Sequence, residues 1–287
     1  MHLPNSSKLF LALFVLSATC SDPTAPGEPT ERLAFASTRA EGDWEIWSAN
    51  PDGTEPRRLT TSPGVDIQPA YSTDRGRIAF YSEREPRGIY IMNADGTNPT
   101  FLCTITNGAE HLDWSPDDRF IVFQGSIYYE TGSGIYVADV STGELTLIRR
   151  DALAPDWSPD GSQIAFNEGL VGSIYVMNPD GSGVRELVTV GVDPAWSPDG
   201  SQIAFVNRSN GIDNISVASL AGGTDIRVVN SANVAGADDQ GPIWSRNGSR
   251  IAFTRTLSTA DIWTVRPDGS GLHQVTSGNA VNGGVAW

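Results

Sequence analysis

The chain has 287 residues, 30 glycines, 18 prolines and a formal charge of −15. An acidic surface repels phosphate, which argues against nucleic-acid binding. Lys8 is the only lysine and the other cations are arginines, so Schiff-base and P-loop lysine chemistry have no residue to use beyond the N-terminal segment.

Residues 1–19 read as an export signal. Lys8 and the amino terminus supply positive charge, Leu9 to Leu16 is an unbroken apolar run, and Ser17-Ala18-Thr19 offers a small-residue cleavage region before Cys20. The apolar run is too short to span a bilayer as a stable helix. Cys20 sits where bacterial processing would lipidate a cysteine, although Ser17 and Thr19 depart from the usual pattern; plain secretion and an uncleaved anchor remain alternatives. Residues 20–31, rich in proline and polar side chains, would then be a tether. Cys103 has no evident partner; a buried thiol and a reactive one are the two readings, and no disulfide framework exists.

From residue 32 onward one triplet recurs: Leu33-Ala34-Phe35, Ile78-Ala79-Phe80, Ile121-Val122-Phe123, Ile164-Ala165-Phe166, Ile203-Ala204-Phe205 and Ile251-Ala252-Phe253. The phenylalanines are 45, 43, 43, 39 and 48 residues apart, a period that marks a β-propeller with one blade per repeat. Before each triplet after the first stands an aromatic and a turn: Tyr71-Ser72-Thr73-Asp74, Trp114-Ser115-Pro116-Asp117, Trp157-Ser158-Pro159-Asp160-Gly161, Trp196-Ser197-Pro198-Asp199-Gly200 and Trp244-Ser245-Arg246-Asn247-Gly248. Proline presets one turn dihedral, aspartate bonds its own backbone and glycine accepts positive φ.

A third strand carries Ile46-Trp47, Ile89-Tyr90, Ile135-Tyr136, Ile174-Tyr175 and Ile262-Trp263. A second turn follows, at Pro51-Asp52-Gly53, Ala94-Asp95-Gly96, Pro179-Asp180-Gly181 and Pro267-Asp268-Gly269, and then a short fourth strand. The fifth unit is weakest, with Ser216 in place of the aromatic. The first unit lacks an aromatic strand, whereas Gly284-Val285-Ala286-Trp287 is such a strand with no triplet after it. The expected fold is therefore an all-β six-bladed propeller over residues 32–287. Each blade has four antiparallel strands, and the C-terminal strand closes blade 1 and removes an open sheet edge.

Such a ring is a scaffold, so function has to come from particular residues. Polar groups precede each aromatic and are expected where the innermost strands meet the central channel: Asp66, Gln68, Glu110, His111, Asp151, Asp193, Asp238, Asp239 and Asn282. Convergent carboxylates, Asp66, Asp193 and Asp239 in particular, would focus negative potential and attract a cation or a basic peptide segment. Ordinary solvated loop ends would carry the same residues. There is no Gly-x-Ser-x-Gly elbow, and the Asp-Gly-Ser-Gly stretches at 180–183 and 268–271 are turns in register with the repeat. His111 and His273 show no zinc spacing; calcium stays open because aspartate-rich turns supply hard oxygens.

The aligned units resemble the TolB-type propeller repeats, best in the fourth: Pro155-Asp156-Trp157-Ser158-Pro159-Asp160-Gly161, Ile164-Ala165-Phe166, Ile174-Tyr175-Val176-Met177-Asn178 and Asp180-Gly181-Ser182. TolB itself carries an α/β domain ahead of its propeller, for which the dozen residues after Cys20 leave no room. The resemblance implies a non-enzymatic, envelope-located binding propeller for a protein or peptide, monomeric, without a cofactor, and touching a membrane only through a lipid. The alternative is a metal-assisted hydrolase or lactonase with acidic ligands on the axis, which would need three or four oxygens converging on one point.

Overall fold

The computed structural model describes residues 31–40, 43–126, 133–169, 172–208, 213–220, 226–229 and 237–287. The predicted leader, Cys20 and all but the last residue of the tether lie outside them. No described helix is long and apolar enough to cross a membrane.

Glu31–Trp287 forms one unit of six four-stranded antiparallel sheets, as the repeat predicts. The innermost strands are Asn282–Ala286, Asp66–Tyr71, Ala109–Trp114, Ala152–Trp157, Val192–Trp196 and Asp238–Trp244, for blades 1 to 6. In blades 2 to 6 the remaining strands follow in chain order. Blade 1 is completed from the other end of the chain: Ala34 pairs with Ala286, Ala36 with Gly283 and Ser37 with Asn282. The predicted closure is present.

The triplet is the core of every blade. Its aliphatic, small and phenylalanine positions are all fully buried, from Leu33, Ala34 and Phe35 to Ile251, Ala252 and Phe253. Burying one such phenylalanine contributes roughly 1.5–3 kcal/mol. The aromatic of the third strand lies directly across from it: Phe35 opposite Trp47, Phe80 opposite Tyr90, Phe123 opposite Tyr136, Phe166 opposite Tyr175 and Phe253 opposite Trp263. Phe205 faces Ser216 instead, the weak point expected in blade 5.

The turns use the predicted residues and one the sequence reading passed over. In the turn after Trp157, Asp160 accepts from the Ser162 N–H at 2.9 Å and Gly161 has φ +71°. The serine is as important: Ser158 donates to Asp160 at 2.7 Å and accepts from the Gln163 N–H at 2.9 Å. The second turn packs against the neighbouring blade. A Cβ on Gly181, at φ +82°, would stand 2.3 Å from the carbonyl oxygen of Ile148, so only glycine permits that approach.

Cys103 lies in the outer strand of blade 2, 5% exposed, and burial pushes its thiol up to about 12. This supports the inert reading over the reactive one.

Candidate functional site

The six innermost strands share an irregularity that sets the geometry of the channel. Three residues before each aromatic, the backbone turns to positive φ: Gln68 (56°), His111 (51°), Ala154 (50°), Asp193 (51°), Gly241 (55°) and Gly284 (55°). Each blade shows a register shift at this level, which makes the strand bulge. Left-handed backbone is uncommon outside glycine, and here it recurs in all six blades.

An innermost strand has no neighbour on its axial side, so some of its N–H and C=O groups face the lumen and need partners. Side chains of the preceding blade supply them in sequence around the ring. Gln68 Oε1 accepts from the His111 N–H at 3.3 Å, and Gln124 Oε1 from the Ala154 N–H at 3.1 Å. Asn167 Oδ1 accepts from the Asp193 N–H at 3.2 Å, and Asp193 Oδ2 from the Gly241 N–H at 3.4 Å. Much of the polar lining is therefore blade-to-blade stitching.

The predicted site residues divide into two groups. Gln68, Glu110, His111 and Asp193 line a channel space of about 350 Å³, with Gln240 beside them. His111 Nε2 lies 4.0 Å from Asp193 Oδ1, and their side chains are 32% and 21% exposed. Glu110 is exposed and accepts from Gln124 Nε2 at 3.3 Å. These four are the ones the fold brings together.

Asp66, Asp239 and Asn282 are not at the lumen, which corrects the expectation of one convergent acidic mouth. Each is the first buried residue of its innermost strand and is at most 1% exposed. Asp66 pairs with Arg84 at 2.6 Å, and Asp239 holds Arg255 through two bonds of 2.7 and 2.9 Å. Asn282 accepts from Arg39 at 3.1 Å and donates to Asp261 at 3.1 Å. Each arginine also stacks on its blade's aromatics: Arg84 lies 5.3 Å from the Phe80 ring centre and 4.8 Å from that of Tyr90. The two carboxylates each pair with an arginine, Arg255 buried and Arg84 partly buried, which offsets the cost of their own burial. Asp151 is exposed, with its N–H donating to the Ser133 carbonyl at 3.1 Å, and is not among the channel-lining residues; Asp238 accepts from Gln240 at 3.1 Å.

Two channel residues escaped the sequence reading. Asp113 and Asp156 stand immediately before Trp114 and Trp157, where the other blades carry Ala70, Ala195, Ile243 and Ala286. Both line the lumen. Asp113 Oδ2 accepts from the Trp157 N–H and Asp156 Oδ2 from the Trp196 N–H, each at 2.7 Å. Burial pushes the Asp113 carboxyl up to about 7, against the pull of the Trp157 and Trp114 N–H groups. Burial raises Asp156 well above the ordinary carboxylate range, and the neighbouring Asp113 charge adds to the shift. The available signal was a carboxylate at a position where every other blade is apolar.

The repeated turn aspartates are engaged locally. Asp52, Asp95 and Asp180 each accept from the hydroxyl and N–H two residues on, which holds their carboxyls below the ordinary value. Among the described residues, no group of three or more His, Cys, Asp or Glu is placed to hold a metal ion.

The Tol-Pal system protein TolB of Anaeromyxobacter dehalogenans (strain 2CP-1) is 28% identical over 208 residues, covering 65% of this chain and 47% of that protein. The protein of the same name from strain 2CP-C is 30% identical over 174 residues, 57% of this chain and 39% of its own length. The chain thus spans less than half of these curated relatives. A crystal structure of TolB from Acinetobacter baumannii superposes with a TM-score of 0.77 at 21% identity, over 89% of this chain and 66% of that one, which shows the shared fold. The family model for the TolB beta propeller domain matches residues 89–287. With its six blades, their repeated turns and the strand closure, the chain belongs to the TolB beta propeller domain family.

Proposed function

We propose that this chain is a non-enzymatic binding propeller of the bacterial envelope that captures a protein or peptide segment carrying a basic group at the upper mouth of its channel. Export by the N-terminal leader and lipidation of Cys20 are part of the same reading. The observation that carries it is the polar set at that mouth that still reaches solvent: exposed Glu110 and the partly exposed pair His111 and Asp193. Two carboxylates beside a low-dielectric wall focus negative potential into the lumen. The relatives named as Tol-Pal system proteins support a role in an envelope assembly.

The test is a crosslinking pull-down from native envelope at low and high salt, comparing wild type with Glu110→Gln/Asp193→Asn. Asparagine keeps an acceptor for the Gly241 N–H, so the ring is left intact. Asp66 and Asp239 are left alone because they are buried in ion pairs with Arg84 and Arg255. The variant is expected to recover less partner and to show a flatter salt dependence. Equal recovery by both proteins at both salt concentrations would place the binding surface elsewhere. For the anchor, labelled fatty acid should enter wild type and not Cys20→Ala; unlabelled, soluble wild type would favour plain secretion.

A further inference from the structure

Blade 1 departs from the others where its inner edge meets blade 2. Blades 2 to 5 each pass a side-chain oxygen to the left-handed residue of the next blade: Gln68, Gln124, Asn167 and Asp193 accept from the N–H groups of His111, Ala154, Asp193 and Gly241. Blade 1 has Gly284 at the position of Gln68 and Asp193, and Ala36 at that of Gln124 and Asn167. Neither side chain carries an oxygen, and among the described residues no side chain accepts from the Gln68 N–H. The repeat directs that group at blade 1, and a Cβ on Gly284 would stand 3.5 Å from the Gln68 nitrogen.

The small residues leave a pocket of about 310 Å³ between blades 1 and 2, lined by Ala36, Trp44, Ile67, Gln68, Gly283 and Gly284 among others. Ala36 packs with Ile67, Phe80 and Tyr90 of blade 2, and Gly283 lies directly across from it, so the two share a face. A Cβ on Gly283 would meet no atom within 4 Å, which shows open space and not a collapsed seam. Half-buried Trp44 stands two residues before Ile46, where the other blades have Arg87, Ser133, Gly172, Asp213 and Ala260. Blade 1 thus combines an indole wall with three small residues. Gln68 and Gly284 also line the channel space that holds Glu110, His111 and Asp193, so the apolar pocket is continuous with the mouth.

We propose that this pocket seats an apolar side chain of the same polypeptide segment whose basic group sits at the mouth, with a main-chain carbonyl of that segment accepting from the Gln68 N–H. The inference rests on the reading of the mouth given above and adds the chemistry of the partner, an aliphatic side chain such as leucine within a few residues of lysine or arginine. An apolar anchor in a pocket supplies affinity, and the charged groups beside it supply selectivity. A fatty acid fits less well, because its carboxylate would face Glu110 and Asp193.

The full-length protein should be titrated calorimetrically with glycine-rich peptides that carry one lysine, with leucine placed one, two or three residues before or after it, and with counterparts that have alanine for leucine. At least one leucine peptide is expected to bind about tenfold more tightly than its counterpart. Gly283→Leu fills the pocket from within; its melting curve should match wild type, and it should bind both peptides at the alanine level. Trp44→Ala removes a wall instead and should reduce the same preference. Glu110→Gln/Asp193→Asn should weaken leucine and alanine peptides alike; if it weakens neither while the leucine preference persists, the reading of the mouth fails and the apolar anchor stands. The anchor is overturned by equal binding of leucine and alanine peptides at every spacing, by a preference that survives both Gly283→Leu and Trp44→Ala, or by N-acetylleucinamide binding as tightly as the best peptide.

Discussion

Asp113→Asn is expected to stabilise the propeller above neutral pH and to change little in acid. Burial lifts the Asp113 carboxyl from 3.8 to about 7. The folded state therefore holds a proton that the unfolded chain releases between about pH 4 and 7. Stability is fully present below the unfolded value and is lost as pH rises through the folded one. Three units correspond to about 4 kcal/mol, and solvent in the lumen, which Asp113 borders, reduces this to roughly 2–4 kcal/mol. Asparagine keeps an oxygen for the Trp157 N–H and carries no charge to desolvate. At roughly 2–4 °C per kcal/mol for a domain of this size, the substitution should raise the melting temperature at pH 8 by about 5–15 °C. At pH 4, where both side chains are neutral, the two melts should nearly coincide. Thermal unfolding followed by circular dichroism from pH 4 to 9 reads the difference directly. Parallel wild-type and variant curves, or a variant less stable at pH 8, would refute the assignment of Asp113 as a buried, proton-retaining carboxyl. Asp156→Asn should act in the same direction, and the double variant should gain less than the sum because the two carboxyls interact.

Asp239→Asn strands the buried Arg255 guanidinium and should cost about 3–5 kcal/mol in urea unfolding; a loss below 1 kcal/mol would mean that the pair contributes little beyond shape. Gly181→Ala forces a Cβ to within 2.3 Å of the Ile148 carbonyl oxygen at φ +82° and should lower the melting temperature by several degrees, whereas an unchanged melt would show that the blade 3–4 contact yields easily. Deleting residues 281–287 removes the strand that pairs with Leu33–Ser37 and should leave an exposed edge, with loss of solubility or of the cooperative melt. A truncated protein that melts like wild type would refute closure as a source of stability.

The blades were legible in the sequence because their determinants are local and repeated. A triplet buried on both faces, an aromatic one strand away and a turn that only Pro, Asp, Asn and Gly readily make recur at one period, so six weak signals reinforce each other. Ser216 marked the weak blade correctly, since the residue opposite Phe205 is set by hairpin register alone. The closing strand was legible for the same reason: blade 1 lacked what the C-terminus had in surplus.

The channel was legible only in part. Gln68, Glu110, His111 and Asp193 reach the lumen as expected, whereas Asp66 and Asp239, two and one positions away in their strands' alignment from residues that do, turn away to Arg84 and Arg255. In blade 2 the bulge with left-handed backbone falls at Gln68 itself and changes which side chains face the axis, whereas in blade 6 Asp239 and Gln240 precede the bulge and face opposite sides as neighbours in a strand do. Period-two alternation cannot anticipate a bulge such as that at Gln68, and the sequence does not say on which face of the strand the alternation starts. Asp113 and Asp156 were hidden for a related reason, because their raised proton affinity depends on walls supplied by other blades. Sequence by itself determined the repeat, the strands and the closure of the ring. Only the tertiary structure decided which polar groups meet at the axis and which are consumed in holding the blades together, because ion pairs and desolvation depend on neighbours distant in the chain.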